Sequence, residues 1–155
     1  MSDSTDSPNP LYQVIKIVAK DAEDLHIIST LLQDSIVTNK TFKHDAESGH
    51  FSFLANRFCW ELAHKSTPTD EYERVFSMVV FDQVTSVEFE KIDPTAFEKH
   101  HNLLAIKFEK NIIICHFSDN GTIRVHCKDL HVRLRDVSDP WPTDHKPTHQ
   151  IEEPA

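Results

Sequence analysis

Residues 112–127 read IIICHFSDNGTIRVHC, the clearest structural signal in the chain. Ile113, Cys115 and Phe117 alternate with other residues before Ser118-Asp119-Asn120-Gly121, and Ile123, Val125 and Cys127 do so after it. Period-two alternation broken by a polar segment that ends in glycine is a β-hairpin, here with a type I turn and a positive φ wanted at Gly121. A three-residue loop is the better register, because it sets Phe117 against Ile123, Cys115 against Val125 and Ile113 against Cys127 on one apolar face. A two-residue loop would mix Arg124 and His126 into that face. Asp129 then shifts the alternation, so Leu130, Val132 and Leu134 read as the strand resumed after a bulge.

The same reading extends upstream. Segments 35–44 and 50–60 flank Asp45-Ala46-Glu47-Ser48-Gly49 and form a second hairpin with Gly49 left-handed. Residues 74–92 are two strands broken near Asp82-Gln83, Asp93-Pro94 opens a short helix or turn ending near His101, and polar residues 63–73 around Pro68 are a loop. At the start, Val14, Ile15, Ile17 and Val18 make a β-rich strand within 11–19. Asp21 can cap a helix with Asp24 three positions on, and Leu25, Ile28, Leu31 and Leu32 recur at helical spacing to about Gln33.

These elements predict one α+β domain over residues 11–137, predominantly antiparallel β, with one amphipathic helix near the N-terminus. About eight strands would form a sandwich or a partly closed barrel, the helix at 21–33 covering a face or an open end. Residues 1–10, rich in Ser, Asp and Pro, read as disordered, and 138–155, with Pro140, Pro142, Pro147 and Pro154, as an extended arm. Trp141 sits between two of those prolines as an aromatic that docks onto the body or a second subunit. A strand, a helix and several strands recur in that order from Leu11 and again from about Val84, the pattern an internal duplication would leave.

Composition narrows the function. The net charge of −9, with 16 Lys and Arg, lacks the clustered basic face that nucleic acid requires, since Lys128, Arg133 and Arg135 are interrupted by Asp129 and Asp136. No apolar run reaches the ~20 residues that span a bilayer. Cys59, Cys115 and Cys127 form no CxxC pair and leave an odd thiol, which fits a reducing cytoplasmic setting. With only Gly49 and Gly121 available, a P-loop, a dinucleotide fingerprint and a glycine-flanked catalytic serine are all excluded.

The eleven histidines show no HExxH or HxH spacing, and on the hairpin register His116 and His126 are related only diagonally, so no metal or cofactor is expected. The best site candidate is Asn56-Arg57-Phe58-Cys59-Trp60-Glu61, read as a strand with Asn56, Phe58 and Trp60 on one face and Arg57, Cys59 and Glu61 on the other. Arg57 among apolar neighbours needs an acceptor, either Asp34 or Glu61 in an internal pair or a ligand anion. Gln33 and Asp34 end the helix where a carboxylate opposes the helix dipole, through a turn-forming or a positioned side chain. Cys115 and Cys127 lie in apolar alternation and read as core.

Several strings occur in one order: Asp24-Leu25, Gln33-Asp34, Asn56 to Glu61, Leu103-Leu104-Ala105-Ile106, then Asp136, Trp141 and Pro147-Thr148-His149. Together they resemble DUF2948, a bacterial family of uncharacterised proteins, over about Val14 to His149. The family pattern usually has alanine where this chain has Ser35. The resemblance implies a small, single-domain bacterial cytoplasmic protein and carries no activity. The leading expectation is a non-catalytic cytoplasmic binding or protein-interaction module, with Asn56, Arg57, Trp60, Gln33 and Asp34 near its recognition surface and a protein or small anionic ligand as partner. The alternative is a small enzyme whose acid/base or metal-assisted site assembles only in the fold, from Asp34, Arg57, His116 and His126. A structural subunit that self-associates through a strand edge or the Trp141 arm is a third class.

Overall fold

The computed structural model describes residues 11–63, 72–143 and 147. The expected disorder of 1–10, most of the loop at 63–73 and most of the C-terminal arm lie outside the described residues. The elements run β1 (Lys16–Ala19), α1 (Ala22–Leu31), β2 (Ser35–Thr38), β3 (Lys43–Asp45), β4 (His50–Phe58), α2 (Trp60–Ala63) and β5 (Tyr72–Phe81). They continue β6 (Val84–Glu90), β7 (His100–Glu109), β8 (Ile112–Phe117), β9 (Thr122–Cys127), β10 (Val132–Asp136) and β11 (Trp141–Thr143). No helix among the described residues is long and apolar enough to cross a membrane.

α1 forms where the spacing predicts it. The Asp21 carboxylate accepts from the Asp24 backbone N–H at 2.8 Å and caps the first turn. Leu25, Ile28 and Leu32 are buried on one stripe, each contributing about 1.5–3 kcal/mol. The helix packs on β1 and β7, which have four strands between them in the sheet, so it covers an open end.

All eleven strands belong to one antiparallel sheet that is not closed, ordered β1-β10-β5-β4-β2-β7-β8-β9-β6, with β3 beside β4 and β11 beside β5. The sheet rolls over so that its two leaves share a core. Phe51 and Phe53 on β4 meet Phe89 on β6 and Phe117 on β8, with ring centroids 6.1 and 6.3 Å apart.

The path of the chain differs from a simple repeat. β2, β4 and β5 form one meander, β7, β8 and β9 another, and β2 pairs with β7 where they meet. The next strand in each case crosses over: β6, after β5, pairs with β9, while β10, after β9, pairs with β5. The two crossing connections hold each other, Asp82 N donating to His131 O at 2.9 Å and Lys128 N to Gln83 O at 3.0 Å. The Asp82 carboxylate adds two bonds from Arg133, both 2.9 Å, and lies 2.6 Å from His131 Nδ1 and 3.2 Å from His50 Nε2. The echo is therefore centred on β2 and β7 rather than on Leu11 and Val84, and only turns, with no helix, join β6 to β7.

Five local expectations are corrected. The last hairpin has a three-residue loop, but it is Ser118–Asn120, so Cys115 faces Ile123 and Ile113 faces Val125, two residues from the expected register. A slip of two keeps every side chain on its face, which is why the apolar pattern could not exclude it. Asp119 and Asn120 take the positive φ values, 61° and 63°, whereas Gly121 has φ −72°. Gly121 is needed for space: a Cβ there would stand 2.8 Å from Ile92 Cγ1.

The residues after Asp129 do not resume β9 but form β10 on the far side of the sheet. β4 ends at Phe58, so Trp60 starts the short α2 instead of continuing the strand. Finally, the arm includes a folded element, because β11 pairs with β5 and the Trp141 ring lies 4.9 Å from Phe76.

Candidate functional site

β4 separates the expected site residues. Arg57 points into the roll beside Phe51, Phe53 and Ala55, whereas Asn56 points outward. Arg57 is wholly buried, and every guanidinium nitrogen has a protein acceptor. Nη1 and Nη2 donate to Glu61 at 2.9 and 3.1 Å, Nη2 donates to Asp136 Oδ2 at 2.9 Å, and Nε reaches Ser77 Oγ at 3.2 Å and Asp136 Oδ1 at 3.3 Å. Glu61 is one of the two acceptors expected from the sequence; Asp34 is not a partner.

Asp136 holds the knot. Its carboxylate accepts from Tyr12 Oη and Ser77 Oγ, both at 2.6 Å, and from the Ile15 backbone N–H at 3.0 Å. Burial opposes its charge, yet Arg57 and the hydroxyl donors outweigh burial and hold its pKa below the ordinary carboxylate value. Burial likewise opposes the Arg57 charge, and Glu61 and Asp136 reverse that and raise its pKa. Tyr12 is raised by burial and by its bond to Asp136. The cluster fastens the chain before β1 to the end of β10, and each guanidinium nitrogen of Arg57 already serves a protein acceptor.

Outside the roll the other candidates do converge. Trp60 Nε1 donates to Gln33 O at 2.9 Å, and Asn56 lies opposite Ile36 on β2. Asp34 takes a left-handed φ of 64° and donates its N–H to Leu103 O at 2.7 Å, a turn residue joining α1 to β2. Between them lies Arg74, which the sequence did not single out. Its Nη1 donates to Asn56 O at 2.9 Å and Asn56 Oδ1 at 3.2 Å, and its guanidinium stands 5.8 Å from the centre of the Phe58 ring. Phe58 packs on Trp60 at 4.6 Å and Tyr72 at 5.7 Å, so the arginine rests on an aromatic floor. Burial lowers its pKa, with Asp34 acting in the opposite direction. The signal available in the sequence was the alternation of Tyr72, Arg74 and Phe76 on one strand face.

His116 and His126 sit on β8 and β9 opposite Thr122 and Ile112. His126 Nε2 lies 3.0 Å from Glu88. No three His, Cys, Asp or Glu residues among the described ones are placed to hold a metal ion. All three cysteines are buried thiols; burial pushes Cys59 up to about 12 and raises Cys115 and Cys127 as well.

The chain matches the family described as "Protein of unknown function (DUF2948)" over residues 15–149, and it belongs to that family. No curated protein and no solved structure matches it.

Proposed function

We propose that this DUF2948 protein is a non-catalytic cytoplasmic binding module whose recognition corner is formed by Gln33, Asp34, Asn56, Trp60 and Arg74. The carrying observation is the Arg74 guanidinium, half-buried on Phe58 and oriented by Asn56. Its charge is destabilised by desolvation. An anion placed there would regain that lost solvation, and arginine is suited to bind carboxylate or phosphate through two parallel bonds. The interior Arg57 knot supports the same reading, since its acids, hydroxyls and arginine satisfy one another. Arg57 bonded to Glu61 and Asp136, and His126 beside Glu88, weigh against the enzyme alternative, which needs these side chains turned to one another.

The test is thermal unfolding of the full chain with acetate, succinate and inorganic phosphate, each titrated to saturation. At about 100 times its dissociation constant, a ligand adds roughly 2.7 kcal/mol, a rise of several degrees. The expected result is a saturable rise with at least one anion that disappears in Arg74→Gln. A rise unaffected by that change, or no rise with any of the three, would discard the corner.

A further inference from the structure

The outward side of β5 is apolar where a solvated antiparallel strand should be polar. Val75, Val79 and Phe81 are buried on its inner side, and Phe76, Met78 and Val80 alternate with them on the outer side. A strand apolar on both sides is the pattern of a strand covered on both sides. Among the described residues, Trp141 covers Phe76, which is still 37% exposed, and Val18 on the same outer face is 43% exposed.

The register organises this face. One row across the sheet is Lys16, Arg135, Met78 and Leu54; the next is Val18, Arg133, Val80 and Ser52. Lys16, Val18, Met78, Val80, Arg133 and Arg135 line a groove of about 260 Å³, with an apolar floor and a cationic rim. The rim is unusual in a chain of net charge −9. Arg133 is engaged by Asp82, but Lys16 and Arg135 make no ion pair among the described residues. They stand directly opposite each other, a like-charge pairing that destabilises a sheet unless an anion comes between.

We propose that this outer face of β1, β10 and β5 docks an extended acidic segment of a partner protein. Its apolar side chains would lie on Met78 and Val80, and its carboxylates would sit between Lys16, Arg133 and Arg135. Charge selects this occupant over a second copy, because a two-fold pairing of the face would set the cationic rim against itself. The surface lies beyond the Arg74 corner and uses none of its residues.

The experiment is fluorescence anisotropy of a fluorescein-labelled octapeptide of alternating Glu and Val against the full chain, with the Lys-Val octapeptide as control. The acidic peptide should bind saturably, the basic one should not, and binding should weaken as salt shortens the screening length to a few ångströms. Lys16→Glu combined with Arg135→Glu should weaken binding at least about tenfold, equivalent to ~1.4 kcal/mol. Met78→Glu should do the same from the floor, whereas Lys107→Glu on β7 should change nothing; both report even if the double reversal does not fold. Four results would overturn the proposal: equal binding of both peptides, no binding of either, affinity unchanged by the reversals, or attachment to phosphatidylserine vesicles in place of the peptide. A mass that doubles with concentration and returns to monomer in Met78→Glu would assign the face to a second copy and overturn it too. Because Arg74→Gln leaves this groove intact, failure here and failure of the corner are separable.

Discussion

Arg57 Nη2 and Asp136 Oδ2 are 2.9 Å apart with both side chains wholly inaccessible, although the residues are 79 positions apart in the chain. Removing either partner strands a buried charge, which costs about 3–5 kcal/mol. Arg57→Ala and Asp136→Ala should each lose stability on that scale in urea unfolding, and the double substitution should lose clearly less than their sum. Additive losses, or single losses below about 1 kcal/mol, would show that the pair is not coupled.

Acid should weaken the fold in two stages. The folded-state pKa values of Asp136 and Asp82 lie below the ordinary 3.8, so between those values and 3.8 the unfolded chain binds more protons. Their contribution is present above the unfolded pKa and lost as pH falls through the folded one. His101 and His116, lowered from 6.5 mainly by burial, have the same sign at higher pH, since only the unfolded chain takes up their protons there. Melting temperature should therefore decline from near neutrality and fall more steeply below pH 4, with the second decline reduced in Asp82→Asn. A melting temperature that rises on acidification would contradict this.

Glycine substitutions should have opposite effects at different turns. Gly121→Ala forces a methyl against Ile92 and should cost about 1–3 kcal/mol, recovered in part by Ile92→Ala behind it. Gln83 and Lys91 hold φ values of 58° and 62° with side chains that disfavour them. Replacing either by glycine should stabilise the protein by up to about 1 kcal/mol, because the left-handed penalty is removed. Denaturation midpoints of the four variants decide the matter.

The thiols should be silent in the folded protein. Cys59, Cys115 and Cys127 are buried and their ionisation is disfavoured. Iodoacetamide at pH 8 should label them only at the rate of unfolding, and all three promptly in guanidinium. Fast native labelling of Cys59 would mean that its burial against Val75 and Leu62 opens readily.

What could be read in advance followed the range of each interaction. The Asp21 cap and the stripe of Leu25, Ile28 and Leu32 are local, and they appear where the spacing puts them. Alternation assigned the faces of β8 and β9, but parity is indifferent to a two-residue slip, so the register was missed. The turn between β7 and β8 uses Lys110 and Asn111 at positive φ, leaving no glycine to mark it. In the candidate site, Gln33, Asp34, Asn56 and Trp60 belong to one corner, but the strand reading could not see that Arg57 is closed off from within. Its decisive partner, Asp136, arrives on β10, a strand whose neighbours depend on the crossover rather than on any local pattern.

The exchange of β6 and β10 sets a timetable for the nascent chain. The strand that must cover the edge of β5 lies fifty residues downstream, since β5 ends at Phe81 and β10 begins at Val132. Until it emerges, that edge is exposed to any passing strand and Arg57 lacks its Asp136 partner. Translation stalled just after Lys128 should leave a sticky, protease-sensitive intermediate, and a chain released past Asp136 a protected one; limited proteolysis of arrested chains would distinguish them. The two halves of this small protein mature together or not at all.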